Sequence, residues 1–466
     1  MFRNIFNTFA NCFKIPELKS RLLFTLGMLA VCCLMTFITI PGLDGSKLQA
    51  FFNSPAHSQG GPLDLANTFA GGGLERCAIG GIGIMPYISA TIIIQLLTAV
   101  WPRLSKLARE EGGRTKIIQY GRYLTVLLCL GWGWVTAASW EHPQTVYGQD
   151  FPGRLVLFSD NHMWWYLVQT TLILTTGTML LMWIGEQITD RGIGNGVSLI
   201  ITINILSRLP AAWVGLKDMF FSGGGATAQF PLGTALVMIF LLAAVIAGVV
   251  AVTQAQRKIP VQYAQRAVGR KMYAGGTSFM PLKVNYSGVM PIIFAQSILM
   301  FPGRICQFVA DNTGPSSAWH GPFVTLTNAF AYGSPVYLTI FSLMILFFSY
   351  FWVATQFNEI QIADDLKKNG GYIPGVRPGQ GTSDYLHRAM SRITLAGAIF
   401  LTIIATIPII LSQRLHISYA VSSFFGGTSI LIAVGVLLDT MRQVESHLLM
   451  RHYDGFLKKG RLRGRF

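Results

Sequence analysis

Apolar residues along this chain are gathered into long runs and do not alternate with polar residues. Ten runs reach or approach the roughly 20 residues that an α-helix needs to cross a bilayer. We number them span 1 to span 10 in chain order. Their approximate bounds are 22–41, 80–101, 123–140, 163–184, 192–209, 231–254, 286–303, 335–357, 393–411 and 419–440. The pattern predicts an all-α polytopic membrane protein with ten transmembrane helices.

The composition agrees with this reading of the pattern. The 466 residues are 52% hydrophobic and 12% charged, and the mean hydropathy is +0.47. A soluble protein of ordinary composition carries about 25% charged residues. The six cysteines show no spacing typical of a metal site or a disulfide set, so we interpret them as small apolar fillers.

Lys and Arg are divided unevenly between the two sides of the predicted membrane. If the N-terminus faces the cytoplasm, the outer segments receive seven of the 36 basic residues, namely Lys47, Arg76, Arg154, Arg208, Lys217, Arg304 and Arg414. All the others fall in the inner segments. Because positive residues are retained on the cytoplasmic side, this predicts a multi-pass protein of the cytoplasmic (inner) membrane with both termini in the cytoplasm. The formal net charge of +16 is therefore first a signal of topology and of attraction to anionic lipid.

Ionisable side chains are expected to lie outside the ten spans. The nearest are Glu186 and Asp190, in a predicted short turn between span 4 and span 5. Ion-coupled transporters and proton pumps need such groups near the midplane, so this pattern disfavours them. The loops carry no nucleotide-phosphate motif, metal-ligand cluster or nucleophile–base pair. We therefore predict a protein that is not an enzyme and that needs no cofactor or metal.

Span 2 and span 7 begin with the same four-residue pattern. Residues 83–86 read GIMP and residues 288–291 read GVMP. A Pro in the first helical turn costs no hydrogen bond, and a Gly before it lets backbones approach. These spans also carry Gln95 and Gln296, for which helix packing and a functional role are both open, since an amide is costly in lipid. The pattern suits two helices that meet along a seam and must part.

The segment that precedes span 2, residues 61–80, is too polar to span lipid and too apolar for a plain loop. It reads GPLDLANTFAGGGLERCAIG and contains three charged residues and a run of three glycines. Non-helical backbone at membrane depth is tolerated only inside protein or beside a watery cavity. The segment is therefore either an ordinary outer loop or a short re-entrant piece that enters a cavity from outside.

Seven stretches, in this order along the chain, resemble the SecY family, whose members are the main subunits of the bacterial protein-translocation channel. They are ELKSRLLF (17–24), IPGLD (40–44), GIMPYISATIIIQLLT (83–98), GTMLLMWIGEQITDRGIGNGVSLII (177–201), PLKVNYSGVMPIIFAQSI (281–298), NGGYIPGVRPGQGT (369–382) and FGGTSILI (425–432). Together they run through nearly the whole chain.

The resemblance implies two five-helix halves, related by an inverted pseudo-repeat, around a central pore. Residues 1–230 would hold spans 1 to 5, residues 231–440 would hold spans 6 to 10, and residues 441–466 would form a basic cytoplasmic tail. Spans 2 and 7 are then equivalent, which agrees with their shared opening. In the family they form the lateral gate through which signal sequences reach lipid. The candidate gate residues here are Pro86, Thr91, Gln95, Pro291 and Gln296.

The resemblance also implies a ring of apolar side chains that closes the pore, covered from outside by a plug at about 61–80. The matching ring positions are Ile84, Ile88, Val197, Ile201, Met290 and Ile432. The candidate plug residues are Leu65, Phe69, Gly72, Leu74 and Arg76. A narrow apolar ring excludes water and ions but yields to any side chain that pushes through. Residue counting puts Ile84 near the outer end of span 2 and Met290 near the inner end of span 7. They meet only if the helices tilt strongly or if span 2 starts inside the membrane.

Two basic inner loops, 255–285 and 358–392, are longer than is needed to set the orientation of the chain in the membrane. Residues 257–271 carry five positive charges and no acidic residue, and residues 373–380 place a basic residue on a tip stiffened by Pro and Gly. In the family such loops dock the ribosome, through RNA phosphate, or the motor ATPase SecA, and lipid contact is the alternative. The candidate docking residues are Arg257, Lys258, Arg266, Arg270, Lys271 and Arg377. The resemblance further implies the small membrane subunits SecE and SecG as partners.

The sequence thus predicts a protein-conducting channel that passes unfolded secretory chains across the membrane or releases transmembrane segments sideways into lipid. It would bind signal sequences and nascent polypeptides and would perform no chemistry of its own. A secondary transporter with inverted repeats and broken helices is the rival reading, and the lack of intramembrane charge disfavours it. A scaffold or insertase without a pore is the third.

Overall fold

The structure is a computed structural model that describes residues 15–52, 62–110, 112–141, 143, 151, 155–157, 163–220, 232–263, 266–268, 271–273, 276–313, 319–331, 333–414 and 428–459. Among the predicted site residues, Arg270 lies outside the described residues. So does residue 61, the first residue of the predicted plug.

Each of the ten predicted spans overlaps a helix in the described residues, although residue 231 of span 6 and residues 419–427 of span 10 lie outside them. In order the helices are α1 (Pro16–Met35), α4 (Met85–Val100), α6 (Gly113–Glu141), α7 (Met163–Arg191), α8 (Gly196–Ser207), α10 (Leu232–Gln254), α11 (Met290–Asn312), α13 (Pro335–Gln356), α15 (Gln380–Arg414) and α16 (Thr428–Lys459). The remaining helices, mostly shorter, are α2 (Gly45–Phe52), α3 (Pro62–Phe69), α5 (Pro102–Arg109), α9 (Leu209–Phe220), α12 (His320–Ala329) and α14 (Glu359–Lys368).

Length and hydropathy identify fewer spans than the pattern predicted. Within the described ranges, 7 helices are long and apolar enough to cross a membrane, and the number is 8 if α4 and α5 count as one span bent by 102°. Among the described side chains, α11 contributes a shorter apolar stretch, Met290–Leu299, and α16 continues from Thr428 into a polar sequence that ends at Lys459. The helical multi-pass membrane fold is confirmed, whereas the number of ten stays a prediction.

Large apolar side chains also cover the outer surface of the helices. Leu127 of α6, Phe240 of α10 and Leu343 of α13 are each at least 60% exposed. A soluble protein rarely exposes a contiguous apolar surface of this extent. A helix that is apolar on both its packed and its outer faces is typical of a chain that lipid surrounds.

Two expectations about charge are wrong at the ends of the spans. Arg208 and Asp439 lie within the predicted bounds of span 5 and span 10, and Arg208 caps the C-terminal end of α8. Glu186 and Asp190 belong to the last turns of α7 and not to a turn. Glu186 is tolerated there because the Arg122 guanidinium of α6 pairs with it, with Nη2 2.8 Å from Oε2.

The basic inner loops contain strands that the sequence analysis did not predict. Strands β1 (Gln256–Tyr263), β4 (Thr277–Lys283) and β5 (Gly371–Tyr372) form an antiparallel sheet in the order β4-β1-β5, and β2 (Arg266–Val268) pairs with β3 (Lys271–Tyr273). In β1 the buried Ile259 and Val261 alternate with exposed neighbours, as a half-buried strand requires. The pairing of β1 with β5 joins the two basic loops into one body.

Candidate pore, plug and lateral gate

The GIMP and GVMP patterns fold into the same backbone. Gly83 has φ +67° and Gly288 has φ +62°. The next residue caps the helix in both cases, with φ −94° and ψ 0° at Ile84 and φ −95° and ψ −3° at Val289. In both helices the Pro follows within the first two positions. The shared letters therefore specify a shared helix start.

Glycine is required at these two positions for partly different reasons. Both adopt the left-handed conformation, which side chains with a Cβ disfavour. At Gly83 an added Cβ would also lie 3.1 Å from the Cα of Ala70, so close backbone approach applies there as predicted. At Gly288 the nearest atom would be Oδ2 of Asp439 at 3.5 Å, an ordinary contact. At Gly288 the left-handed backbone conformation is therefore the reason for glycine, and close approach of another backbone is not.

Both helices begin inside the packed interior. Ile84 is 0% exposed and Val289 is 4% exposed. The residues before each helix are turns or bends whose side chains are largely buried, among them Ile82 and Ser287. The sequence analysis left two ways for Ile84 and Met290 to meet: a strong tilt of the helices, or a start of span 2 inside the molecule. The structure favours the second. Span 7 also starts inside the molecule.

The six predicted ring residues belong to one cluster of packed apolar side chains. Four of them are buried in its core and Val197 and Met290 are half-buried against it; the buried four are Ile84, Ile88, Ile201 and Ile432. The cluster draws on α4, α8, α11 and α16, and α11 contacts both α4 and α16. The structure thus brings together residues from both halves of the chain. That they close a pore stays a prediction.

The segment before α4 is buried and packed against the same cluster. Asn67 is 0% exposed and Phe69, which belongs to the cluster, is 4% exposed. Such burial does not fit an ordinary outer loop and favours the re-entrant alternative. The other predicted plug residues lie along this segment: Leu65 in α3, Gly72 at φ +82°, Leu74 in a second apolar cluster, and Arg76 with its guanidinium carbon 4.3 Å from the ring centroid of Phe37.

Three side chains at the end of α8 contact the predicted plug segment, and the sequence analysis missed all three. Asn204 Nδ2 donates to the carbonyl oxygen of Phe69 at 2.9 Å. Ser207 Oγ lies 3.1 Å from the carbonyl oxygen of Gly71 and 2.7 Å from that of Asn204, and its hydroxyl is shared between these two acceptors. Arg208 Nη2 lies 3.0 Å from Oε2 of Glu75. Buried carbonyl groups of an irregular segment need such partners. The available signal was Arg208 itself, a charge inside the predicted bounds of span 5.

The predicted gate helices α4 and α11 lie in direct contact. Oγ of Ser297 on α11 is 3.8 Å from Sδ of Met85 on α4, and both side chains are buried. The gate residues Pro86 and Pro291 are buried at the two helix starts, and Gln296 is 2% exposed. Thr91 and Gln95 are half-buried, and the Thr91 hydroxyl donates to the carbonyl oxygen of Tyr87 at 2.8 Å. The described polar contact between the helices therefore involves the first turn of α4.

The candidate docking residues lie on or beside the small sheet. Arg257 and Lys258 are exposed on β1, and the backbones of Arg266 and Lys271 lie in β2 and β3. Arg377 is exposed on the tip that follows β5. This tip is fixed because the Thr382 hydroxyl donates to the Arg377 carbonyl oxygen at 3.0 Å and the Val376 N–H donates to that of Ile373 at 3.1 Å. The predicted rigidity of the tip therefore has a structural basis.

These features define a multi-pass helical membrane protein in which a buried irregular segment packs on an apolar cluster between two matching helix starts. The sequence model of the SecY family matches residues 78–441. The protein translocase subunit SecY of Chlamydia trachomatis serovar D is 41% identical over 461 residues, which cover 98% of this chain and 99% of the relative. The chain belongs to the SecY family, and the resemblance stated from its motifs is confirmed.

Two solved structures share the fold at low sequence identity. One is a SecY protein whose plug domain stabilises the closed state of the translocation channel and maintains a membrane seal. It is 16% identical with a TM-score of 0.59, over 95% of this chain and 94% of that chain. The other is Sec61 in the canine ribosome-channel complex from the endoplasmic reticulum, also 16% identical, with a TM-score of 0.56 over the same shares. At this identity the likeness concerns the fold alone.

Proposed function

We propose that this chain is the protein-conducting subunit of a translocase. Unfolded secretory polypeptides would cross the cytoplasmic membrane through it, and transmembrane segments would leave it sideways into lipid. The observation that carries the proposal is the buried segment of residues 66–84, which lies against an apolar cluster supplied by both halves of the chain. The names of the close relatives support it. The protein has no catalytic role of its own, and a partner supplies the energy.

The apolar cluster suits a seal that must open for any passenger sequence. Its six ring residues offer no side-chain hydrogen-bonding group, so they would grip no passenger side chain specifically. Phe69 packs in the same cluster and would cover it in the idle state. The ring and the plug would then exclude water and ions together until a chain displaces both.

A lateral gate between α4 and α11 accounts for the sideways exit. Residues 1–230 and 231–440 would act as two halves that part along this seam. The polar contact described across it, between Met85 and Ser297, is weak, since a thioether sulfur is a poor acceptor. A seam held mainly by apolar packing separates without leaving buried charges unpaired, which is what repeated opening requires.

The partners and the orientation follow from the charge distribution. The small sheet that carries Arg257, Lys258 and the Arg377 tip would face the cytoplasm, together with both chain termini. Its exposed positive charges suit RNA phosphate on the ribosome or an acidic surface on the SecA motor. SecE and SecG would accompany the chain within the cytoplasmic membrane.

Reconstitution separates this function from the rival transporter. Proteoliposomes that contain this chain with its small subunits and a motor ATPase are expected to protect a signal-bearing polypeptide from added protease. A matched passenger without its signal sequence should stay accessible. Concentrative uptake of a small solute without polypeptide passage would instead support the transporter, and lipid insertion without ion conductance would support a scaffold or insertase.

The Arg377 tip provides a separate test of docking. We expect Arg377→Glu to weaken binding to the ribosome or to SecA by about tenfold at low salt, because it reverses a charge on a rigid, exposed tip. Binding is measured by co-sedimentation and by surface-immobilised SecA across a salt series. Arg388→Glu, an equal charge reversal at an exposed position of α15, is the matched control. Unchanged affinity for both partners would remove the docking role, and loss restricted to anionic vesicles would assign the tip to lipid.

A further inference from the structure

We propose that Glu75 and Arg208 form an ion-pair latch that holds the plug closed and sets how apolar a signal sequence must be to open the channel. The proposal rests on the channel function proposed above and deepens it. It makes these two residues determinants of passenger specificity, although neither lies in the pore ring or in the gate.

The pair has the geometry of a specific, partly buried contact. Arg208 Nη2 lies 3.0 Å from Glu75 Oε2, and the side chains are 18% and 7% exposed. The same carboxylate oxygen accepts a hydrogen bond from Asn67 Nδ2 at 2.8 Å, and Asn67 Oδ1 accepts one from the Glu75 N–H at 3.2 Å. The Arg208 guanidinium therefore faces a carboxylate, and the Glu75 carboxylate faces both a guanidinium and an amide donor. A buried charge is tolerated only with such partners.

Arg208 lies at the junction of two helices. It caps the C-terminal end of α8, and its carbonyl oxygen accepts the Ala212 N–H of α9 at 3.1 Å, so the backbone that carries its side chain is fixed on both sides. The same helix end supplies Asn204 and Ser207, which bind the carbonyl oxygens of Phe69 and Gly71. One end of one helix thus holds the plug segment at three points.

The plug segment has a fixed part and a part that side chains alone hold to α8. From Cys77 onward the backbone is bonded to the end of span 1: the Ile40 N–H donates to the Cys77 carbonyl oxygen at 2.9 Å, and the Ile79 N–H donates to that of Ile38 at 2.9 Å. Before Cys77, the described hydrogen bonds to α8 come from the side chains of Asn204, Ser207 and Arg208. Glu75 lies two residues before Cys77, so its ion pair is close to the point where the two parts would separate.

The latch would bias the closed state because opening separates two charges that are matched only when the plug is in place. In the open channel both groups face water and need no partner. In the closed protein, removal of one group leaves the other desolvated and unpaired, which is strongly unfavourable. Either single substitution should therefore destabilise the closed state relative to the open one, and a weaker signal sequence should then suffice to open the channel.

The test uses the full chain with its small subunits and compares Glu75→Gln, Arg208→Gln and the charge swap Glu75→Arg/Arg208→Glu. Resting conductance is recorded in planar bilayers, and export is measured for a reporter whose signal sequence has a shortened apolar core. We expect each single variant to raise the resting open fraction about tenfold, a shift of about 1.4 kcal/mol. It should also export the weak-signal reporter. The swap should restore much of the closed state, but not all of it, since Asn67 Nδ2 loses the carboxylate oxygen of Glu75 that accepts its hydrogen bond.

Arg122→Gln is the control, because it breaks another ion pair, that of Arg122 with Glu186 (Nη2 to Oε2 2.8 Å), which joins α6 to α7 and includes no residue of the plug segment. It should leave conductance and weak-signal export unchanged. If the single variants fold poorly, Ser207→Ala removes the hydroxyl that Gly71 shares with Asn204 and should still give a smaller rise, about threefold.

Three outcomes would overturn the latch while the wild-type protein transports normally. In the first, the single variants show no rise in resting conductance and do not export the weak-signal reporter. In the second, the charge-swap variant conducts as much as the single variants. In the third, the Arg122→Gln control conducts as much as the single variants. Failure of the wild-type protein to pass any signal-bearing chain would instead overturn the proposed function.

Discussion

Export is expected to stop when α4 is joined to α11 through cysteines at Met85 and Ser297. Met85 Sδ and Ser297 Oγ are 3.8 Å apart, and the two side chains are 4% and 0% exposed. Oxidation, or a short bifunctional thiol reagent, should therefore link the pair in the idle protein. If signal sequences enter between these helices, the link prevents the seam from opening and transport should fall to background. The measurement is protease protection of a signal-bearing chain before and after linkage.

The control for this experiment is a link within one half of the chain. Cysteines at Arg122 and Glu186 replace an ion pair between α6 and α7, and a bifunctional thiol reagent long enough to span the two lost side chains joins them. This link constrains neighbouring helices without crossing the proposed seam. Transport should survive that link, and reduction should restore it in the Met85/Ser297 protein. Normal export through a fully linked seam would mean that signal sequences do not pass between α4 and α11.

The starts of α4 and α11 could be predicted from sequence because local chemistry determines them. Gly, a small apolar cap residue, Met and Pro set the same dihedral angles at both sites, with φ near +65° at the glycine and a proline in the first turn. The depth of these starts could not be predicted. Hydropathy counts residues 80–84 as part of a span, although their backbone turns before Met85 begins the helix.

The plug contacts of α8 were missed because hydropathy treats a charge at the end of a run as a loop residue. Arg208 was accordingly assigned to an outer segment, whereas its partner Glu75 lies 133 positions earlier in the chain. No local pattern relates two residues at that separation. The burial of both becomes visible only when α3 and the turns after it are packed against α8.

The small sheet was missed for a related reason. In the sequence QRKIPVQY, apolar and polar positions alternate from Ile259 onward as in a half-buried strand. Its positive charges nevertheless favoured the interpretation as an exposed basic loop. One of its two partner strands, β5, is only two residues long and lies over a hundred positions later. The candidate docking residues were thus proposed as a set from their charge, whereas the small sheet that carries most of them was not predicted.

Ile432 gives the sharpest test of the pore ring. It is 0% exposed on α16, within the cluster that also contains Ile84 and Ile88. If Ile432 only fills a packed interface, Ile432→Asn buries an unmet amide at a cost of about 1–3 kcal/mol, and the protein becomes less stable without any gain of conductance. If it lines the constriction, the amide is wetted, the apolar barrier to water weakens, and the closed state loses stability relative to the open one.

We expect the second result, in which Ile432→Asn leaks ions, accepts poorer signal sequences and loses little thermal stability. Single-channel conductance and the melting temperature, measured on the same preparation, separate the two cases. Leu431→Asn is the matched control, because Leu431 precedes Ile432 on the same helix and is equally buried at 1% exposure. A neighbouring position points about 100° away around a helix, so this variant should destabilise the protein without a leak. If Ile432→Asn behaves like Leu431→Asn, Ile432 does not belong to the ring, and the other five positions, which rest on the same correspondence, lose their support with it.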